Sequence, residues 1–348
     1  MMDLLNLEPV KAPEKATDYS MMVIGESKIG KTTFVSEFYG KEDTLFLATE
    51  NRHKALTGAY VKRIANWTEF LSVLKMLKMP KVKEKYKNVV IDTIDNLYIM
   101  MEDYVVSKYD ETILGQADKR VNFSEDYRLF DALLKKVKDI DRLGYNLILI
   151  SHTVDTTKTV YYDRLTQEEK NELASVGITE SVKDKKGMVT YSVAQGIIKK
   201  KKHAEFLTGL VDNVLFLSKA GVKNDKRVIY TRPNMFNECA SSTFKDIAPV
   251  IELDAKAYRA AVDKCIGNLG EENINKDYQP QDYTLDYDKI YQETKEVGSK
   301  LYELGKMDKV QQIADDLIGD GASILDLKEN NVEVLNNCLA EMKSLLEE

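Results

Sequence analysis

Short apolar runs alternate with longer stretches of mixed polarity over the first 150 residues. The runs have the length of buried strands, whereas the longer stretches carry apolar residues at helix spacing. The runs are residues 19–24, 44–48, 89–91 and 146–150, and the helical stretches are 32–39, 67–78 and 123–143. Strands that alternate with helices predict an α/β fold with a mostly parallel sheet covered on both faces.

The pattern changes after residue 152. Residues 153–201 are polar and charged, and β-prone pieces at 159–162 and 188–193 predict a hairpin or an excursion rather than a core strand. Strand character resumes at 214–217 and 227–231, which would complete the sheet. A short helix is predicted at the end of this part of the chain, over 258–266.

Composition predicts four segments. Residues 1–17, with two prolines among charged residues, are expected to be a flexible lead-in to a main domain over 18–266. Residues 267–285 are rich in Asn, Gly, Asp, Gln and Pro, which is typical of a linker. Residues 286–348 predict a small α-helical module whose apolar stripes form the core of a bundle. Its three helical segments are 287–304, 309–318 and 331–346.

Charge and cysteine usage exclude several classes of protein. The 348 residues are 43% hydrophobic and 31% charged, with a net charge of −7, so any nucleic-acid contact must come from a local basic patch. Three scattered cysteines are typical of reduced thiols. No run of 18 apolar residues and no signal-peptide pattern is present, so we expect a cytoplasmic protein without a membrane partner.

The connection between the first strand and the first helix carries the strongest motif. Residues 25–32 read G-E-S-K-I-G-K-T, the phosphate-binding form G-x-x-x-x-G-K-[S/T]. Backbone N–H groups of such a loop surround a phosphate, Lys31 reaches the β- and γ-phosphates, and the Thr32 hydroxyl ligates Mg²⁺. The chain is therefore predicted to bind a nucleoside triphosphate, taken as ATP, with Mg²⁺. The predicted nucleotide-binding residues are Gly25, Glu26, Ser27, Lys28, Ile29, Gly30, Lys31, Thr32 and Thr33.

Three further polar residues follow predicted strands, at the edge where a parallel sheet places its site. Asp92 ends the run 89–91 in a Walker B pattern and would bind Mg²⁺ through water. Glu50 would orient or deprotonate the water that attacks the γ-phosphate, unless it is a solvated loop acid or a helix N-terminal charge. His152 would sense the γ-phosphate through a hydrogen bond, or only cap or pack its strand.

In this order and spacing, the four motifs resemble the RecA-type ATPase core over residues 18–235. More closely, they resemble truncated phage-encoded RecA-like nucleotide-binding proteins of single-strand annealing and recombination. RecA has a polar amide where this chain has His152, and related hexameric helicases can have histidine, so the branch stays open. The resemblance implies homo-oligomers with ATP at the subunit interface, and DNA-binding loops at about 107–125 and 153–201.

Under that resemblance, a positive side chain from a neighbouring subunit stabilises charge on the transferred phosphoryl group. Arg232 is the first candidate and the lysine run 199–202 is the second. The basic loops are expected to bind single-stranded DNA, with Tyr161, Tyr162 and Tyr191 stacking on bases. The residues predicted to contact DNA are Lys119, Arg120, Lys199, Lys200, Lys201 and Lys202.

The expected function is DNA-stimulated ATP hydrolysis in phage-type recombination, annealing or replication, in the cytoplasm of a bacterial host. The predicted catalytic residues are Lys31, Glu50, Asp92, His152 and Arg232. The resemblance also implies that the C-terminal helices dock another replication or recombination protein. Two alternatives stay open: a P-loop helicase or loader motor, and a small-molecule kinase or nucleotide-gated scaffold.

Overall fold

The computed structural model describes residues 9–50, 56–110, 113–114, 125–198, 200–219 and 226–347. Two compact units are present, Val10–Asp282 and residues 283–347. No helix in the described part of the chain is long and apolar enough to cross a membrane.

Twelve strands lie in the described part of the first unit. They are β1 Ala12–Pro13, β2 Met21–Gly25, β3 Thr44–Ala48, β4 Tyr60–Arg63, β5 Asn88–Asp92, β6 Asn146–Tyr161, β7 Met188–Gly196, β8 Asn213–Lys219, β9 Arg227–Tyr230, β10 Ser241–Ser242, β11 Val250–Glu252 and β12 Ile274–Asn275. Its helices are α1 Lys31–Tyr39, α2 Trp67–Leu77, α3 Pro80–Lys85, α4 Ile94–Lys108, α5 Glu125–Leu134, α6 Lys138–Arg142, α7 Gln167–Ser175, α8 Lys201–Thr208 and α9 Ala255–Gly267.

The central sheet has the strand order β11-β9-β8-β2-β6-β5-β3-β4. The strands from β8 to β4 in this order are parallel, and β9 and β11 extend the sheet in alternating directions. The strand that precedes the phosphate-binding motif, β2, lies between β6 and β8, so β6 separates it from the Walker B strand β5. The predicted α/β fold with a mostly parallel sheet is confirmed.

Helices cover both faces of this sheet. Successive residues of a strand point to opposite faces, so Phe46 and Leu47 enter different apolar clusters. On one face Leu47 packs in a cluster that contains Trp67 of α2, and on the other Phe46 packs in a cluster with Phe38 and Tyr258 of α1 and α9. Burial on both faces explains why the central strands are apolar runs without alternation.

Strand β6 is longer than predicted, because it continues past residue 150 into a hairpin. Beyond His152 it pairs with β7 in antiparallel register, from Thr153 opposite Gly196 to Tyr161 opposite Met188. The predicted hairpin is therefore confirmed. Tyr191 is only 4% exposed within the hairpin's own apolar cluster, so its predicted stacking on a nucleic-acid base is wrong.

The first unit includes parts of both segments that flank the predicted main domain. Part of the predicted lead-in is folded, because β1 pairs with β12 and Ala16 is buried. Most of the predicted linker is also packed on this unit. A Cβ at Gly144, where φ is +84°, would meet backbone atoms of Pro280, Gln281 and Asp282 at 3.4 Å. The unit boundary therefore lies at residue 282, near the end of the predicted linker.

The second unit contains the three predicted helices. They are α10 Tyr287–Glu303, α11 Met307–Leu317 and α12 Val332–Glu347. Leu301, Leu335, Cys338 and Met342 are buried together as its core.

In the first unit, the single helix predicted at 123–143 is divided in the structure. A 3₁₀ turn at Lys135–Val137 joins α5 to α6.

Candidate active site

The phosphate-binding motif (residues 25–32, here the phosphate loop) joins β2 to α1 in a conformation that its glycines permit. Gly30 has φ +117° directly before α1, and Lys28 also has a positive φ of +66°. A Cβ at Gly25 would lie 2.7 Å from the carbonyl oxygen of Leu217 on β8, so glycine is required for this close approach. The motif therefore has the strand-loop-helix geometry that presents backbone N–H groups to a phosphate.

Lys31 lies at the centre of the phosphate loop. Its side chain is 6% exposed, and its Nζ donates to the carbonyl oxygens of Gly25 (2.8 Å) and Glu26 (2.9 Å). These bonds hold the ammonium group against the loop that curls around it. The site thus contains a buried cation, which a polyphosphate would neutralise.

Thr32 and Asp92 meet across the cavity beside the loop. The Thr32 hydroxyl donates to Asp92 Oδ2 at 2.8 Å, although 60 residues separate them in the chain. Burial raises the pKa of Asp92. The hydrogen bond from Thr32 lowers this pKa and the nearby charge of Glu50 raises it, so the pKa lies above its ordinary value. A hydroxyl and a carboxylate side by side are hard oxygen donors, so these residues fit Mg²⁺.

Glu50 lines the same cavity of about 280 Å³, with the phosphate loop, Asp92 and His152. The amide Nδ2 of Asn96 donates to Glu50 Oε1 at 3.0 Å. Asn96 therefore fixes one carboxylate oxygen of Glu50 in a cavity that contains the phosphate-binding groups. This arrangement suits a carboxylate that orients a water molecule.

His152 is held by Asp95 of α4. Its Nδ1 lies 2.8 Å from Asp95 Oδ2, and its backbone N–H donates to Asp95 Oδ1 at 3.2 Å. Burial raises the pKa of Asp95, but the hydrogen bonds and charge of His152 outweigh burial, so this pKa lies below its ordinary value. An ionised carboxylate can only accept, so Nδ1 is the donor and Nε2 is the other ring nitrogen available to a ligand.

The first turn of α4 therefore orients both candidate catalytic groups. Asp95 bonds His152, and the next residue, Asn96, bonds Glu50. Thr93 caps the helix and exchanges two hydrogen bonds with Thr49, at the end of the neighbouring strand. Sequence reasoning missed these residues, because polar groups in the first turn of a helix ordinarily satisfy its free N–H groups. The positions of Asp95 and Asn96, three and four residues after Asp92, could have indicated that they lie near the site.

Arg227 is a second neighbour of the phosphate loop that the sequence did not indicate. Its Nη1 donates to the carbonyl oxygen of Ile29 at 3.1 Å. The first residue of β9 thereby supports the loop at the backbone segment before Gly30.

Arg232 does not lie at this site. It comes after the end of β9, whereas the phosphate loop is contacted by Arg227 at the start of that strand. Its guanidinium donates to carbonyl oxygens of the surrounding chain, and these bonds give it a structural role. Its predicted role in the site of a neighbouring subunit stays a prediction. The accepting residues are Thr231, Ser242, Phe244 and Lys245.

The predicted DNA contacts are only partly described. Lys119, Arg120 and Lys199 lie outside the described residues. The ammonium group of Lys200 lies 4.6 Å from the ring centroid of Tyr127. The other two lysines pair with acids, Lys201 with Glu205 at 3.6 Å and Lys202 with Asp131 at 2.6 Å.

Comparison with known proteins gives the family. Residues 17–238, more than half of the chain, match the AAA_24 family, described as an AAA domain. The chain belongs to this family of P-loop ATPases. The SPbeta prophage-derived uncharacterized protein YorG of Bacillus subtilis (strain 168) is 24% identical over 342 residues, which cover 94% of this chain and 93% of the relative.

Two solved structures show distant likeness. The flagellar accessory protein FlaH from Methanocaldococcus jannaschii has 9% identity and a TM-score of 0.27, with 67% of this chain and 84% of that chain covered. An ATPase from the type III secretion system of pathogenic bacteria has 11% identity and a TM-score of 0.28, with 92% and 81% covered. Membership of the family supports a nucleotide-hydrolysing enzyme, and such enzymes use ATP, typically with Mg²⁺.

Proposed function

We propose that this protein hydrolyses ATP and uses the hydrolysis cycle to act on single-stranded DNA in phage-type recombination, annealing or replication. One observation carries the proposal. Strand β6 runs without interruption from the centre of the sheet, through His152, into the hairpin that it forms with β7. A change at the nucleotide would thus reach the hairpin through a single strand.

The residues of the site have complementary roles in hydrolysis. Lys31 and the N–H groups of the phosphate loop bind phosphate oxygens. Thr32 and Asp92 would hold Mg²⁺, which when bound offsets the charge on the phosphates. Glu50, oriented by Asn96, positions the attacking water and accepts its proton.

His152 is proposed to report the presence of the γ-phosphate. With Nδ1–H donated to Asp95, a second N–H at Nε2 would donate to a phosphate oxygen, so the proposed sensing form is the imidazolium ion. Loss of that contact after hydrolysis would release the imidazole from one of its two partners. Because His152 directly precedes the hairpin, we infer that the hairpin responds to this loss.

Surface chemistry supports a nucleic-acid ligand for the hairpin. Tyr161, at the end of β6, is 43% exposed, and the guanidinium of Arg164 lies 4.6 Å from its ring centroid. Exposed aromatic rings beside cations are typical of single-strand binding surfaces. The prophage origin of YorG supports a phage setting, and hence the cytoplasm of a bacterial host.

An oligomer with ATP between subunits belongs to the same proposal. Within the described residues, no arginine lines the cavity that holds Glu50, Asp92 and His152. As in the RecA-type ATPases that the sequence resembles, a neighbouring subunit is proposed to supply the cation that stabilises the transferred phosphoryl group. The helical unit at 283–347 is proposed to dock another replication or recombination protein, since its three helices form a core of their own.

Steady-state ATPase activity with and without single-stranded DNA tests the proposal, with Lys31→Ala as the blank. We expect Lys31-dependent hydrolysis that DNA stimulates. An ATPase rate that is the same with and without DNA would instead favour a small-molecule kinase or a nucleotide-gated scaffold. DNA stimulation together with strand separation of a fluorescent duplex would favour a helicase or loader motor.

A further inference from the structure

Positive charge is concentrated in one short stretch of this acidic protein. Residues 60–88 contain eight Lys or Arg residues and two Asp or Glu residues, a net charge of +6, in a chain whose net charge is −7. None of the nucleotide-binding groups lies within this stretch. An asymmetry of this size is the electrostatic pattern of a polyanion-binding surface.

The fold places this stretch at an edge of the sheet. Strand β4 is the last strand of the order and pairs with β3 alone. Tyr60 and Lys62 alternate with Val61, so both point to the same face of the sheet. The ammonium group of Lys85, in α3, lies 4.0 Å from the ring centroid of Tyr60, which identifies this face as the one that carries α3.

Exposed lysines continue the surface from β4 across two helices. Lys81 and Lys85 lie on α3, and Lys75 and Lys78 lie at the end of α2, immediately before α3. All four are exposed, as is Lys62. We call this the β4–α3 surface, and its members are Tyr60, Lys62, Lys75, Lys78, Lys81, Lys85 and Tyr86.

Acidic groups neutralise little of this charge. Within the stretch, Glu69 is engaged with the backbone N–H of Ala65 at 2.9 Å. From outside it, Asp282 pairs with Lys83, and Asp43 lies 3.9 Å from Lys87. Neither of these lysines belongs to the β4–α3 surface. The other acid of the stretch, Glu84, is exposed on α3, so five lysines against this one acid leave the surface with a net positive charge.

The aromatic residues favour a ligand that has flat groups as well as phosphates. Tyr60 is 41% exposed, and its ring packs edge-on against Tyr86 with centroids 5.4 Å apart. A half-exposed ring held by a second ring and beside the ammonium group of Lys85 is suited to stack on a base. Exposed apolar side chains here are limited to Met76 and Met79, too few to insert into an anionic membrane.

We propose that the β4–α3 surface binds single-stranded nucleic acid, with the lysines on phosphates and Tyr60 on a base. The surface shares no residue with the hairpin or with Lys200, Lys201 and Lys202. It would hold the strand whatever nucleotide occupies the active site. This inference does not depend on the proposed coupling through His152.

Binding of fluorescein-labelled dT20 to the full chain, measured by anisotropy at several salt concentrations, tests the proposal. The variant combines Lys62→Glu, Lys81→Glu and Lys85→Glu. We expect at least tenfold weaker binding at low salt. The slope of log affinity against log salt should become shallower by about 2, because three phosphate contacts are lost. A matched control reverses three exposed lysines elsewhere on the same unit, and should bind dT20 as the wild type does. The control positions are Lys245, Lys256 and Lys264.

Tyr60→Ala separates base stacking from charge. It should weaken dT20 binding about fivefold or more but leave binding of inorganic polyphosphate unchanged, whereas Tyr60→Phe should retain dT20 affinity. Melting temperatures within about 2 °C of wild type show that the variants are folded. If the triple variant melts lower than that, the neutral Lys62→Gln and Lys85→Gln pair replaces it.

Several outcomes would overturn the inference. One is equal weakening in the triple variant and the control, which would mean that only net charge matters. A second is unchanged dT20 binding in the triple variant; if DNA still stimulates hydrolysis, the proposed function survives and this surface does not. A third is a triple variant that no longer binds phosphatidylserine vesicles but binds dT20 as the wild type does, which would make the surface a membrane contact. Absence of dT20 binding by the wild type would refute the inference and leave ATP hydrolysis to be judged by the Lys31→Ala comparison.

Discussion

Replacing Asp95 with asparagine tests whether this carboxylate holds His152 in its working orientation. Asp95 is 5% exposed and accepts two hydrogen bonds from His152, one from Nδ1 and one from the backbone. In Asp95→Asn, the single amide oxygen can keep one bond, but the amide nitrogen then faces the other donor. A hydrogen bond to a charged group contributes about 1.5–3 kcal/mol. At about 2 °C per kcal/mol for a unit of this size, the melting temperature should fall by about 3–6 °C.

The pH dependence of stability follows from the sign of the pKa shift. The pKa of Asp95 is lowered in the folded protein from its unfolded value of 3.8. Its ionised form therefore stabilises the fold fully above that value, and the contribution is lost as pH falls through the lower folded pKa. The difference in melting temperature between wild type and Asp95→Asn should be constant near pH 7 and shrink below about pH 4.

Calorimetry and ATPase assays on the same samples separate stability from catalysis. We expect kcat to fall about tenfold, because His152 loses its fixed orientation, while KM for ATP changes little. Asp103→Asn, on an exposed position of the same helix, is the matched control and should change neither quantity. A normal kcat in a folded Asp95→Asn protein would refute the positioning role, and an unchanged melting temperature would refute the energetic reasoning.

Three further changes probe other parts of the site. Lys31→Ala should abolish the stabilisation that saturating ATP and Mg²⁺ give the wild type, about 2.7 kcal/mol at a hundred times Kd, and a retained thermal shift would contradict the assignment. Glu50→Gln should keep that thermal shift but lose most hydrolysis; equal hydrolysis in wild type and variant would remove Glu50 from the mechanism. Arg232→Ala should lower stability by about 2 kcal/mol, because the guanidinium donates to backbone carbonyl oxygens. If Arg232 also acts in a neighbour's site, the variant should inhibit wild-type subunits when the two are mixed, and simple dilution of the activity would count against that role.

The phosphate loop and the central strands could be predicted because their information is local. A glycine before a lysine, between an apolar run and a helix, specifies a loop conformation over eight residues. Runs such as Met21–Gly25 are apolar throughout because both faces of the sheet are covered, so the pattern also indicates parallel strands. The sequence therefore predicted the class of fold and the loop that receives phosphate.

Segment boundaries were predicted less well, because composition does not show what a polar segment packs against. The predicted linker contains Asn, Gly and Pro, yet its backbone lies against Gly144, where no side chain intervenes. The hydrogen bonds of Arg232 could not be predicted for the same reason, because the carbonyl oxygens that accept them belong to residues 10 and 13 positions away along the chain.

By itself the sequence determined the nucleotide-binding loop, the acidic end of β5 and the helical nature of the C-terminal unit, since each depends on residues within a few turns of one another. Only the tertiary structure decided that Asp95 and Asn96 orient His152 and Glu50, which are 57 and 46 residues away along the chain. It also decided that Tyr60 and Lys85 share one surface. Hydrogen bonds and charge interactions act over a few ångströms, so groups distant in sequence can cooperate only after the packing of helices on the sheet has brought them together.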